Sequence, residues 1–378
     1  MQRLQLRTKT PPHKYEIQIG SGLLNNVGQV VRDSLGNRAQ RVVIVSNKRV
    51  FHLYGSAVLR SLEARGFAIW SCLIGDGERF KSMQTVQQAL CFFSEVGLER
   101  GDGVIALGGG VVGDVAGFAA AVYLRSIAFI QIPTSLLAQV DSSVGGKTGV
   151  NLPTGKNLVG SFHQPAAVIT DIETLRTLPP REFVAGWCEC IKQGAVSSRK
   201  LFKATTAFLE ESPDRDTLIS PRLEELIASH CAFKAAIVAA DEREDADRSD
   251  HRSRRILNFG HTIAHALEAI TSYRRFRHGE AVGKGMLVAG ELSKNLGLLK
   301  QTELELLNTA VSLCGPLPTA QDLDEREILD AIAHDKKRTA GQLQWILLER
   351  IGRPVIVDGN NISRKLLLKS VREVFRRQ

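Results

Sequence analysis

The sequence predicts two units in series: an N-terminal α/β domain over residues 1–178, built on a parallel sheet with helices outside, and a mostly α-helical C-terminal domain over residues 179–378. Three observations predict it. A chain of 378 residues exceeds what one hydrophobic core usually organises. From residue 41, short β-branched runs alternate with helical stretches. Past Leu178 those runs disappear and long helical periodicities take over.

RVVIVSN (41–47) is a continuous apolar run, as expected of a strand buried on both faces. The segment to Gly66 has helical spacing, and FAIWSCLI (67–74) is the next strand. The rhythm continues through helical SMQTVQQALCFFSEVG (82–97), strand GVIAL (103–107), a glycine-rich turn, helical DVAGFAAAVYLR (114–125) and strand IAFIQIP (127–133). Pro179 and Pro180 punctuate the change of pattern, because proline starts a helix well and continues one badly. Beyond them PRLEELIASHCAFKAAIVAA (221–240), HTIAHALEAI (261–270) and GEAVGKGMLVAGELSKNL (279–296) predict helices. LQWILLERIGRPVIV (343–357) predicts two short strands, and the pattern leaves open which unit they pack on.

The 49 Lys and Arg against 40 Asp and Glu give a net charge of +9, compatible with nucleic acid, an anionic membrane surface or a small multiply charged substrate. Much of the excess lies in solvated stretches such as Arg252 to Arg255 and the tail Arg372, Arg376 and Arg377, with no nucleic-acid-binding motif beside them. A nucleic-acid partner is therefore not expected. The six cysteines have neither the density nor the spacing of a disulfide framework or a C-x-x-C pair, which fits free thiols in a reducing compartment. The first residues lack an apolar signal core, and charges interrupt every apolar run. The expectation is a cytoplasmic protein with no membrane partner.

GGGVVGD, Gly108 to Asp114, follows a strand and opens a helix, so its backbone N–H groups can meet a pyrophosphate at the positive helix end. The following strand lacks the terminal acidic residue that a Rossmann fingerprint uses for the ribose, which predicts a dinucleotide site of another type. Glycines serving only tight helix-to-strand packing are the alternative.

In NFGHTIAHALE, His261 and His265 stand one helical turn apart with Asn258 three residues before them. His278, in a flexible glycine-containing lead into the next helix, can approach the same face. Two histidines at this spacing alone also describe an ordinary exposed helix face. Glu189 and Lys192 change the balance: they stand at i, i+3 in apolar VAGWCECIKQG, where a buried carboxylate wants a cation. Glu189, His261 and His278 then form a two-histidine, one-carboxylate set with an open position, as catalytic zinc requires. Cys188 and Cys190 point away from Glu189 and read as small core residues. A third cluster, QVDSSVGGKTGVNLPTGKNLVG, gathers Asp141, Lys147, Asn151, Lys156 and Asn157 in a loop-like stretch suited to phosphate or carboxylate oxygens, with a merely solvated loop as the lesser alternative.

With these segments in hand, the chain resembles the 3-dehydroquinate synthases over nearly its whole length. The resemblance rests on DGERFKS, GGGVVGDVAGFAAAVYLR, IPTSLLAQVDSSVGGKTGVN, GKN, DIETLRTLPPREF, the Glu189 helix, LNFGHTIAHALE, HGEAV and the late DKK. It implies a dehydroquinate synthase-like fold, an NAD-binding α/β domain followed by a helical metal-binding domain, with the active site in the cleft between them. Glu189, His261 and His278 look like ligands to zinc or cobalt. Asp76, Gly77, Glu78, Arg79, Phe80 and Lys81, then Gly110, Val111, Val112, Gly113 and Asp114, look like NAD contacts. Thr134, Ser135, Lys147, Lys156, Thr174, Leu175, Arg176 and Thr177 match further cofactor positions.

The implied substrate is a phosphorylated seven-carbon keto acid, for which the resemblance assigns Lys147, Lys156, Asn157, Lys234, Arg254, Asn258, His265 and Lys336. Arg125 looks like the residue that reaches a neighbouring subunit, which implies a homodimer. The implied reaction is transient oxidation by NAD, β-elimination of phosphate, return of the hydride and intramolecular aldol closure. Asp141 and Lys192 would orient hydroxyls and His265 would relay a proton. Three departures from the family stand out: a longer stretch between Glu244 and Arg254, Ala264 for a common glycine, and Gln193 for a common tyrosine. Spacing to Asn258 assigns Arg254, rather than Arg252 or Arg255, to the substrate carboxylate. That cation and Lys234 argue against sister sugar phosphate cyclases and metal-dependent polyol dehydrogenases, whose substrates would leave them unpaired.

Overall fold

A computed structural model describes residues 13–211, 218–245, 248, 250–338 and 343–376, the side chains of 334–338 excepted. The N-terminal half contributes strands β1 (Glu16–Gly20), β2 (Arg41–Asn47), β3 (Ala68–Ile74), β4 (Gly103–Gly108) and β5 (Ala128–Pro133), then a hairpin of β6 (Lys147–Leu152) and β7 (Gly155–Phe162), then β8 (Ala167–Asp171). Six of them form one parallel sheet in the order β1-β8-β5-β4-β2-β3. Alternation along the central strands supplies two cores. Val43, Val45, Val104 and Ala106 face helices α3 (Met83–Glu95) and α4 (Gly110–Val122), while Val42, Ile44, Ile105 and Leu107 face α1 (Val27–Leu35) and α2 (Lys48–Glu63).

The second half is helical: α5 (Pro180–Ser197), α6 (Arg199–Glu211), α7 (Pro221–Ala240), α8 (His261–Ile270), α9 (His278–Asn295), α10 (Gln301–Leu313), α11 (Glu325–Arg338) and α12 (Arg364–Phe375). Every residue of α5 from Phe183 to Val196 is buried, so this helix is the axis around which the others pack. Pro180 occupies its first turn. The late hairpin of β9 (Gln344–Arg350) and β10 (Arg353–Asp358) joins this helical core through Trp345, Ile346, Leu347 and Leu348, which answers the question left open by the pattern. No helix among the described residues is long and apolar enough to cross a membrane.

Three local expectations need correction. The polar stretch after Asp141 is a β-hairpin rather than a loop; its strands intersperse Gly, Lys and Asn with single Thr and Val residues, so no β-branched run announces them. The segment before α9 is not a flexible lead: His278 is the first residue of that helix, and Glu280 accepts from the Arg277 backbone at 2.7 Å. Helix α4 stops at Val122, because Leu124, Arg125 and Ser126 all take positive φ.

Candidate active site

Because the sheet is parallel, the C-terminal ends of its strands lie along one edge, the usual place for a ligand crevice. Asn47 ends β2, Asp76 to Lys81 follow β3, Gly109 and Gly110 follow β4, and Thr134 and Ser135 follow β5; these residues, Arg79 and Phe80 excepted, line a cleft of about 470 Å³. The glycine turn divides its labour. Gly109 and Gly110 face the cleft beside Ser135 and Ser142, whereas a Cβ on Gly113 would lie 2.7 Å from Gln131 Oε1, so Gly113 serves helix-to-strand packing. Val111, Val112 and Asp114 line the cleft, and Asp114 pairs with buried Lys81 at 2.6 Å. Lys81 also donates to Asn157 Oδ1 at 2.5 Å, tying the sheet edge to the hairpin.

The opposite wall comes from α5, α8 and α9. Glu189, His261 and His278 each offer a ligand atom, and these atoms all lie within 4.8 Å of one another. His261 Nδ1 lies 3.3 Å from the Phe259 carbonyl and His278 Nδ1 lies 3.3 Å from Glu268 Oε1, so both rings can donate outward from Nδ1 and keep Nε2 for a metal. Burial, reinforced by Lys192 and the neighbouring imidazoles, holds His261 well below the usual histidine range, in the neutral form a ligand needs. Glu189 is completely buried. Lys192 Nζ pairs with its Oε2 at 2.5 Å, and Oε1 has no hydrogen-bond partner. A buried carboxylate left this way beside two imidazoles fits a divalent cation.

Cations converge on the remaining walls. Lys234 donates to Asp141 through both the carboxylate at 2.8 Å and the backbone carbonyl at 2.6 Å. Burial works against the Asp141 anion, but Lys234 and Lys192 outweigh it and keep the carboxyl far below its ordinary range. Asp141 lies in a one-turn π-helix, Ala138–Ser142, a distortion that often marks functional positions. Arg254 is nearly buried and donates to Gly145 O at 3.0 Å and Glu242 O at 2.8 Å. Lys156 bridges Glu268 at 2.9 Å and Glu78 at 3.5 Å. His265 lines the cleft, its ring 5.6 Å from that of His261.

The remaining sequence-predicted residues fall elsewhere. Arg79 stacks over the Phe80 ring at 4.7 Å, and neither lines the cleft. Of the run Thr174 to Thr177, only Thr177 lines it; Thr174 and Leu175 are buried and Arg176 pairs with Glu173 at 2.5 Å. Arg125 is exposed and outside this chain's own cleft. The side chain of Lys336 lies outside the described residues. Two carboxylates escaped the sequence reading. Glu268 stands three residues after His265, a helical spacing that could have revealed it. Glu244 pairs with Lys147 and accepts from Asn258 at 3.2 Å; its φ of 56° and its place in the lengthened loop left no periodic signal.

Comparison with known proteins identifies the family. Family models for the 3-dehydroquinate synthase N-terminal and C-terminal regions match residues 71–185 and 186–338. A 3-dehydroquinate synthase of Cyanothece sp. is 44% identical over 92% of this chain and 93% of its own length. One from Synechococcus sp. is 43% identical over 94% and 95%. Among solved structures, the 2-epi-5-epi-valiolone synthase ValA of Streptomyces hygroscopicus, with NAD+ and Zn2+ bound, superposes with a TM-score of 0.87 at 24% identity, covering 99% of this chain and 100% of that one. A 2-deoxy-scyllo-inosose synthase complexed with carbaglucose-6-phosphate, NAD+ and Co2+ gives 0.79 at 26% identity, covering 95% and 96%. With both family models matched and relatives above 40% identity along almost the entire sequence, the chain belongs to the 3-dehydroquinate synthase family.

Proposed function

We propose that this chain converts 3-deoxy-D-arabino-heptulosonate 7-phosphate to 3-dehydroquinate and inorganic phosphate in the shikimate pathway, as a phosphate-eliminating lyase. The observation that carries this reading is that the Glu189–His261–His278 set reaches, through His278, a cleft also lined by Lys147, Lys156, Lys234 and Arg254, cations matched to a substrate bearing a carboxylate and a phosphate. When bound, NAD supplies a hydride acceptor that is regenerated each turnover, and the Zn2+ or Co2+ held by the set supplies Lewis acidity.

The chain's own residues do the rest. Arg254 and Lys234 take the carboxylate; Lys147, Lys156, Asn157 and Asn258, with Lys336, take the phosphate once Lys147 leaves Glu244. Asp141 and Lys192 orient the substrate hydroxyls, and His265 holds a proton beside the ligand set. Fixed cations favour loss of phosphate by β-elimination because they stabilise the departing charge, and the enclosed cleft then favours the intramolecular aldol closure. The glycine turn, Asp76 to Lys81, Thr134 and Ser135 hold the dinucleotide. We read residues 1–178 and 179–378 as the two domains, and the active form as a cytoplasmic homodimer to which Arg125 contributes across the interface. Nucleic acid and membrane have no part in this reading.

The deciding experiment measures phosphate release from the seven-carbon keto acid phosphate with catalytic NAD, with and without chelator, while absorbance at 340 nm is followed. Chelator-sensitive release without accumulating NADH supports the synthase. Accumulating NADH would point to a dehydrogenase, and turnover only of a carboxylate-free sugar phosphate to a sister cyclase.

A further inference from the structure

We propose that Gln193 is a positioning residue for Asp141, held in its working orientation by His230 and Thr205; the inference rests on the role given to Asp141 above. Three buried groups and the half-buried Asp141, from four elements, form a continuous line. Thr205 on α6 lies 3.1 Å from His230 Nε2 on α7, and His230 Nδ1 lies 3.1 Å from Gln193 Oε1 on α5. The Gln193 amide then donates from Nε2 to the Val140 carbonyl at 2.9 Å and to Asp141 Oδ1 at 3.3 Å in the π-turn. Gln193, His230 and Thr205 are each fully buried.

The chemistry of the line admits one arrangement. Both acceptors at the active-site end require the NH2 group of Gln193 there, so its Oε1 must face His230. An oxygen facing an imidazole needs an N–H, which places the proton on Nδ1. Burial pushes the His230 imidazole down to about 3, so the ring is neutral and Nε2 is left as an acceptor 3.1 Å from the Thr205 hydroxyl, which also reaches the Leu201 carbonyl at 2.8 Å. From His230 on α7 to the carboxylate in the cleft, each link fixes the next. Reversing the amide would set its oxygen against the Asp141 carboxylate, a repulsive contact in a buried place.

Asp141 has other partners, because Lys234 binds both its carboxylate and its carbonyl. Lys234 alone leaves the carboxylate free to swing about that contact. Gln193, approaching from α5, gives the same Oδ1 a second donor and pins the Val140 carbonyl beside it, which fixes the direction of the remaining Oδ2. In this chain His230 completes the amide's bonding.

The test is a double-mutant cycle on the metal- and NAD-loaded enzyme with Gln193→Met, which keeps the length and removes every hydrogen bond, and Asp141→Asn. We expect Gln193→Met to lower kcat about three- to tenfold, with KM within about twofold. Metal content and NAD affinity should be unchanged. In the Asp141→Asn background the same substitution should cost nothing further. Unchanged kcat for Gln193→Met, or losses that multiply independently, would overturn the inference while leaving the proposed role of Asp141 intact. Full activity of Asp141→Asn would instead remove that role, and this inference with it. Should Gln193→Met fail to fold, His230→Leu takes its place: it keeps Gln193 but removes the donor that orients it, and the same fall in kcat and the same non-additivity are expected.

Discussion

Glu268 Oε1 lies 3.3 Å from His278 Nδ1 and 2.9 Å from Lys156 Nζ, so one buried carboxylate oxygen joins a candidate metal ligand to a cleft cation. Burial opposes the anion, but His278 and Lys156 outweigh it and hold Glu268 down to about 2. The contact fixes the His278 proton on Nδ1 and leaves Nε2 facing Glu189 at 3.8 Å. Glu268→Ala should therefore weaken metal binding about 10- to 100-fold, read by chelator competition on the folded protein. Unaltered metal affinity would mean that Glu268 serves Lys156 and not the ligand set.

Gly145 lets Arg254 approach the backbone. Its φ is +104°, and a Cβ there would lie 2.7 Å from both Arg254 Nη2 and Val238 Cγ2. Gly145→Ala should cost about 1–3 kcal/mol of stability from strained backbone. It should also push the guanidinium aside and raise KM for the keto acid phosphate about tenfold or more, with NAD affinity preserved. Steady-state kinetics beside NAD titration separates these effects; a loss of NAD affinity equal to the rise in KM would show that the whole cleft had been disturbed.

The Lys81–Asp114 pair joins the glycine-turn helix to the segment after β3 at 2.6 Å. Glu78 lies close enough to act on Lys81 as well, so removing Asp114 leaves the ammonium partly compensated. Asp114→Asn should destabilise the protein by about 1–3 kcal/mol, and adding Lys81→Met should recover part of that, because the second change removes the partly compensated charge. Denaturant unfolding of the two single variants and the double variant gives the coupling directly; simple additivity would mean that the two side chains do not act as a pair.

What the sequence revealed, and what it hid, follows from how each feature is encoded. Central strands such as RVVIVSN are buried on both faces and stand out as apolar runs, whereas β1, with the pattern EIQIG and one fully buried residue, carries almost no signal. His261 and His265 are legible because a helix converts a sequence interval into a shared face. Glu189 enters the same site from a helix some 70 residues earlier, and only the cost of burying its charge hinted at a cation. Glu244 was illegible for the opposite reason: a loop residue reaches its partners through backbone dihedrals, which no periodicity records. Gln193 looked like a neutral departure from the family until its amide was seen between His230 and Asp141.

His230 also gives acid stability a definite sign. Burial lowers its folded-state value to about 3, against about 6.5 for an unfolded histidine. Its neutral ring therefore contributes fully above about pH 6.5, and the contribution is lost as pH falls toward 3, since the unfolded chain takes up the proton first. Between pH 7 and pH 5 that amounts to about 2 kcal/mol. His230→Phe should lower stability at pH 7, through the unpaired Gln193 oxygen, yet show a shallower decline between pH 7 and pH 5 than the parent. Parallel declines in urea unfolding across that range would mean that the His230 ring takes up its proton without leaving the native state.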